Sequence, residues 1–194
     1  MTRNKILCAI ILALWIIPIT FRSNCFAAAP ITWSPADAGL RLGLKTEQSR
    51  INANLRVVLN NVGPSNLSVF VAMKSGNGAC YLFQFTAIAA DGRRLSISNL
   101  SPESCQPSAG LVLPEVISLA PGATREFAFL LKHLVYMTKG RDITLDSLLR
   151  QGYAISASLK IRQKDLDGAL MGGVPQPANG RFWTGRLTSP PPRP

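Results

Sequence analysis

The chain is short of the residues that carry most enzyme chemistry. Its 194 residues include one histidine, His133, and four cysteines, and 10 acids stand against 21 lysines and arginines. A Ser-His-Asp triad would have to use His133, in LLKHLVYM, with Asp142 or Asp146 downstream. No G-x-S-x-G elbow or other nucleophile signature accompanies them, so His133 reads as a polar residue at a strand end. One imidazole and two cysteines make no zinc ligand set, and no metal or cofactor is expected. Asp165-x-Asp167-Gly168 resembles the start of a calcium loop but lacks the later oxygen ligands and the closing glutamate. Gly172-Gly173 has neither the glycine spacing nor the lysine of a phosphate-binding loop. These shortages read as a protein that is not an enzyme.

Only the N-terminus carries a long apolar run. In MTRNKILCAIILALWIIPITFRSNCFAAAP, Arg3 and Lys5 precede an apolar stretch from Ile6 to Thr20, and small residues follow. The stretch is shorter than the roughly 20 residues that cross a bilayer, and Arg22 closes it. This is the pattern of a secretory signal cleaved near Ala27, and it predicts a secreted or periplasmic protein with no integral span after processing. Cleavage removes Arg3, Lys5 and Arg22 and no acid, so the formal charge falls by three from +11 to +8. It also removes Cys8 and Cys25. The remaining pair, Cys80 and Cys105, is even in number and bound for an oxidising compartment, which predicts a disulfide. Their spacing is unlike a redox C-x-x-C pair. The chain-entropy estimate for such a loop is about 3.5 kcal/mol.

What the chain does have is alternation. GLRLGLKT sets Leu40, Leu42 and Leu44 against Arg41 and Lys45, and LRVVLNNVG repeats the pattern with Leu55, Val57 and Leu59. LSVFVAM follows. After Cys80 both faces are apolar, as in a strand buried on two sides. Asp91-Gly92 predicts a tight hairpin returning through Arg94 to Ile97, and Pro121-Gly122 a second hairpin-like unit between Ile117–Leu119 and Phe127–Leu131. DITLDSLLRQG predicts one short helix, capped by Asp142 or Thr144 and ended by Gly152. GYAISASLKI alternates most clearly, a Gly/Pro-rich loop covers 165–180, and RFWTGRLTS is a last strand. Seven or eight strands with one short helix predict an all-β antiparallel sandwich over residues 39–189. A closed barrel is the alternative that periodicity does not separate. Residues 1–27 are the signal, 28–38 an N-terminal extension and 190–194 a Pro-rich disordered tail.

Two stretches, GLRLGLKTEQSRINANLRVVLNNVG and SLAPGATREFAFLL, resemble strands of bacterial immunoglobulin-like domains. LLRQGYAISASL is similar to the penultimate strand of such a sandwich, with Tyr153 where a tyrosine corner sits, and RFWTGRLTS to a last strand. The resemblance implies an immunoglobulin-like β-sandwich of the kind found in secreted proteins of unknown role, and brings no catalytic residue. Cys80 and Cys105 lie closer in sequence than the inter-sheet bridge of antibody domains.

The basic balance points to anionic partners. Lys160, Arg162 and Lys164 fall at i, i+2 and i+4, and would line one strand face as an anionic-surface contact. Export and the lack of a stacking-aromatic motif argue against nucleic acid. Trp33, Phe182 and Trp183 read as core aromatics. The expectation is an exported binding or structural module that contacts a protein or an anionic envelope surface. The alternative is an inhibitor that presents the loop SPESCQPSAG to an exported hydrolase.

Overall fold

The computed structural model describes residues 30–48, 53–75, 78–100, 112–171 and 180–191. The signal segment, Cys105 with the SPESCQPSAG loop, and residues 192–194 lie outside the described residues, as do Gly172 and Gly173.

The protein is all-β, built from antiparallel sheets with two short helices. The first sheet has the order β1 (Thr32–Trp33), β2 (Leu40–Gln48), β3 (Ala53–Asn61) and β9 (Thr124–Leu130). Between them in sequence come β4 (Leu67–Ser75), β5 (Gly78–Tyr81), β6 (Gln84–Ile88), β7 (Arg94–Asn99) and β8 (Val112–Leu119). After β9 and a 3-10 turn at Leu131–His133 follow β10 (Leu134–Tyr136), β11 (Ile143–Thr144) and helix α1 (Leu145–Arg150). The chain then runs through β12 (Ala154–Ile161), helix α2 (Gln163–Met171), β13 (Arg181–Phe182) and β14 (Gly185–Thr188). The largest sheet has six strands in the order β11-β10-β7-β6-β12-β14. A third carries β4 between β8 on one side and β5 and β13 on the other.

Alternation does what the sequence predicts. Leu40, Leu42 and Leu44 of β2, and Leu55, Val57 and Leu59 of β3, are all fully buried. They meet Ile155, Ala157, Leu159 and Ile161 of β12 in one apolar cluster. Gly43 has no side chain on the opposite face of β2, because Ile31 and Trp33 lie there. A Cβ at Gly43 would stand 2.5 Å from Ile31 Cγ2 and 2.7 Å from Trp33 Cε3. The segment expected as an extension is therefore an edge strand.

An aromatic layer joins the sheets. Tyr81, Phe83 and Phe85 interleave with Phe127 and Phe129 of β9 at centroid separations of 5.0–6.2 Å, mostly tilted or edge to face. Such pairs contribute about 0.5–1.5 kcal/mol each beyond burial. The doubly apolar stretch after Cys80 is thus two strands. β5 pairs with β4, β6 pairs with β7 and β12, and the chain crosses between sheets at Leu82–Phe83.

Other expectations need correction. Pro121-Gly122 does make a tight turn, with Gly122 at φ +77°. It is not a hairpin, because β8 pairs with β4 while β9 pairs with β3. It is a corner between two sheets, held by Asn61, whose backbone N–H donates to Ala123 and whose carbonyl accepts from Gly122. The span 165–180 is not all loop, because α2 occupies 163–171. The Asp91-Gly92 hairpin and the short helix α1 are where the sequence puts them. Thr144 is the cap, its hydroxyl accepting from the Ser147 N–H, and Gly152 follows at φ +83°.

Candidate functional site

The two sheet faces that look outward treat charge differently. On the first sheet, Lys45 Nζ stands 2.8 Å from Glu126, and Arg56 bridges Glu47 at 2.6 Å and Glu126 at 3.3 Å. Lys45, donating a hydrogen bond, is the largest influence holding the Glu126 carboxyl below its usual range, and Arg56 adds to it. Arg41 lies 4.2 Å over the Trp33 ring and donates to Asn60 Oδ1 at 2.9 Å. Lys45, Arg56, Glu47 and Glu126 thus each have a partner of opposite charge, and Arg41 has a ring and an amide.

The outer face of β7-β6-β12-β14 has none. These four strands contain no aspartate or glutamate. Inward alternation buries Ile97, Phe85, Ala87, Ile155, Ala157, Leu159 and Leu187, and therefore turns hydroxyls and cations outward. The register arranges them in rows. Ser96 faces Thr86, which faces Ser156. Gln84 faces Ser158, which faces Thr188. Lys160 faces Arg186 directly, and both are exposed. At the other end Arg94 faces Ile88, which faces Ala154.

Like charges set directly opposite one another on neighbouring strands destabilise a sheet. No described acid pairs with Lys160 or with the Arg186 guanidinium. The acid nearest in the hydrogen-bond network, Asp37, accepts from the Arg186 backbone N–H at 3.1 Å. Asp37 is fixed in turn: its backbone carbonyl accepts from Trp183 Nε1 at 2.8 Å, and the Trp183 ring is buried. Gly185, at φ +156°, leaves room for this carboxylate, since a Cβ there would meet Asp37 Oδ2 at 2.2 Å.

The run Lys160, Arg162 and Lys164 does not line one strand face. β12 ends at Ile161, and Gln163 begins α2, so only Lys160 is on the sheet. Arg162 is taken up by Asp165, which accepts from the Arg162 backbone N–H at 2.8 Å and from its Nε and Nη2 at 3.0 and 2.9 Å. Those bonds, the side chain's first, hold the Asp165 carboxyl down to about 2. Lys164 is exposed on the helix. The residue missed was Arg186: nothing in RFWTGRLTS says that it will stand beside Lys160, and only the β12–β14 register does.

The remaining candidates are dispersed. Asp165 serves the turn into α2, Asp167 accepts from Gln163, and no group of three or more metal-ligating side chains occurs among the described residues. His133 ends the 3-10 turn, and its carbonyl accepts from the Leu100 N–H. Asp146 binds Arg150 one helical turn on, at 2.8 Å. Trp183 is core, as expected, and Trp33 and Phe182 are half-buried. The Tyr153 hydroxyl accepts from Arg93 Nη2 at 3.2 Å, where a tyrosine corner would bond backbone. Cys80 sits on β5 opposite Met73; Cys105, its expected partner, lies outside the described residues. No described helix is long and apolar enough to cross a membrane.

No family model, curated protein or solved structure matches this chain.

Proposed function

We propose that the protein is an exported, non-catalytic binding module that holds an anionic partner on the outer face of the β7-β6-β12-β14 sheet. The observation that carries this reading is the Lys160–Arg186 pair, two like charges in register on a face whose four strands hold no acid. A bound anion would relieve the repulsion, which otherwise costs the sheet stability. The contrast with the neutralised network on the first sheet argues against surplus lysine and arginine falling evenly over the surface.

An immunoglobulin-like sandwich is part of the proposal. The order β2-β3-β9 matches A-B-E of that fold, and β14-β12-β6-β7 matches G-F-C with an added neighbour. Export rests on the N-terminal signal pattern, and the Cys80–Cys105 staple on the even pair left after processing.

Amide chemical-shift mapping of the exported chain titrated with dextran sulfate, against neutral dextran, tests the function. Shifts concentrated on β6, β7, β12 and β14, and seen with the sulfated polymer alone, are expected. Shifts on the Lys45–Arg56 face, or none above the neutral control, refute it.

A further inference from the structure

The anionic-face reading leaves open what shape of anion the face takes, and the following rests on it. Arg94 stands in the row of Ile88 and Ala154, at the opposite end of the sheet from Lys160 and Arg186. Ala154 and Lys160 are the ends of one strand segment, so the two cationic rows lie about 20 Å apart along the strands and about 10 Å apart across them. Between them the outward side chains are Gln84, Thr86, Ser96, Ser158 and Thr188, with Ser156 covered and bonded to the Ser189 carbonyl. Beside Arg94, Arg93 is engaged by Tyr153 and Asp91. Arg94 itself has no ion pair among the described residues.

We infer that the ligand is a linear acidic polysaccharide that runs along the strands from the Lys160–Arg186 row to Arg94. Cations at both ends would meet acid groups on separate sugars. The hydroxyl and amide side chains between them match a partner whose own groups are hydroxyls, since each can donate and accept. The face offers no aromatic for stacking bases, which single-stranded nucleic acid would use. It also presents no large apolar side chain to enter a bilayer beyond the half-buried Ile88.

The test is calorimetry on the exported chain with oligogalacturonates from dimer to decamer, for wild type, R94E, the double variant K160E/R186E, and K132E as a charge control on the 3-10 turn. Affinity should rise with length and step up once the oligomer spans both rows. R94E should lower the affinity of long oligomers about fivefold or more, the weight of one cation at an anionic surface, and leave the dimer unchanged. K160E/R186E should weaken every length, and K132E should match wild type. A flat length series, or R94E binding the decamer like wild type, overturns the spanning ligand while K160E/R186E sensitivity keeps the anionic face. Wild-type affinity in K160E/R186E overturns both. Equal losses in K132E assign binding to net charge and overturn the face. Anionic phospholipid vesicles bound with the same variant pattern, with oligogalacturonates unbound, would make the partner a lipid surface and overturn the glycan.

Discussion

Replacing Asn61 tests the account of how the sheets are joined. Asn61 is fully buried at the end of β3. Its Nδ2 donates to the carbonyls of Leu119, at the end of β8, and Ser65, both at 2.8 Å, and its Oδ1 accepts from the Gly63 N–H at 2.9 Å. One amide therefore ties the first sheet to the corner leading out of β8 and shapes the turn into β4. It also explains the Asn-x-Gly pattern, because Gly63 packs against Gly39, whose Cα would lie 3.3 Å from an added Cβ. Asn61→Ala removes three hydrogen bonds, although the Gly63 N–H keeps a second acceptor, the Gly39 carbonyl at 3.1 Å. Leu119 is buried, so its carbonyl bears a full desolvation cost of about 1–3 kcal/mol. Ser65 is exposed, so water recovers part of its bond, and Gly63 retains its bond to Gly39. The sum is about 3 kcal/mol, or a melting temperature lower by about 6–12 °C for a domain of this size.

Asn61→Asp sharpens the test. It keeps the acceptor for Gly63 but turns a carboxylate toward two carbonyls, so at neutral pH it should be less stable than Asn61→Ala. Its carboxyl pKa is raised by burial, so stability should recover as pH falls and the acid regains a donor. Urea unfolding gives both numbers, with an unchanged m-value confirming that the folded state is retained. A loss under about 0.5 kcal/mol in Asn61→Ala, which is surface-substitution size, would refute the pin. So would an Asn61→Asp variant as stable as wild type at pH 7.

Gly43→Ala should displace Ile31 and Trp33 from β2 and cost about 1–3 kcal/mol as an overpacked contact; unchanged Trp fluorescence and unchanged amide exchange at Thr32–Trp33 would contradict this packing. Asp165 is held down to about 2 by Arg162, so its contribution is present above the ordinary carboxyl range and fades as pH falls through about 2. The stability gap between wild type and Asp165→Asn should therefore be open at pH 6 and close toward pH 2, and a gap that is constant with pH would count against the pair. The exported chain should contain no free thiol by thiol titration, and Cys80→Ser should lower stability by about 3 kcal/mol, the size of the loop-closure effect. A titratable thiol in the native chain would end the staple reading.

The inward half of the fold was legible because burial selects it residue by residue. Leu55 and Leu159 each sit between polar neighbours in sequence, and period two finds them without knowledge of any partner. The outward half depends on which strand lies beside which, and no local pattern encodes that. Ile117–Leu119 and Phe127–Leu131 alternate alike whether Pro121-Gly122 closes a hairpin or turns a corner. The deciding contacts come from Asn60 and Asn61, on a strand some 60 positions earlier. The same holds at the candidate site. Lys160 was visible as an outward residue of β12, but Arg162 and Lys164 looked equivalent to it only while the strand was taken to continue. What ends it is local: Asp165 reaches back to the Arg162 N–H as a capping carboxylate does, which starts α2.

Four strands without an acid on their outer face are tolerated because their stability comes from the inward side. Inward, β12 supplies Ile155, Ala157, Leu159 and Ile161, all essentially fully buried. Burying one such aliphatic side chain is worth about 1.5–3 kcal/mol. A like-charge pair directly opposite on the outer face costs roughly 0.2–1 kcal/mol, so a single inward residue outweighs it. The sheet therefore does not need a neutral exterior to fold, and folding alone gives no reason for or against acids there. The first sheet, with an equally buried inner face, nonetheless has Glu47 and Glu126 among its cations. Two faces with the same structural freedom and opposite charge treatment differ in something other than folding, and the proposed anionic partner would account for that difference.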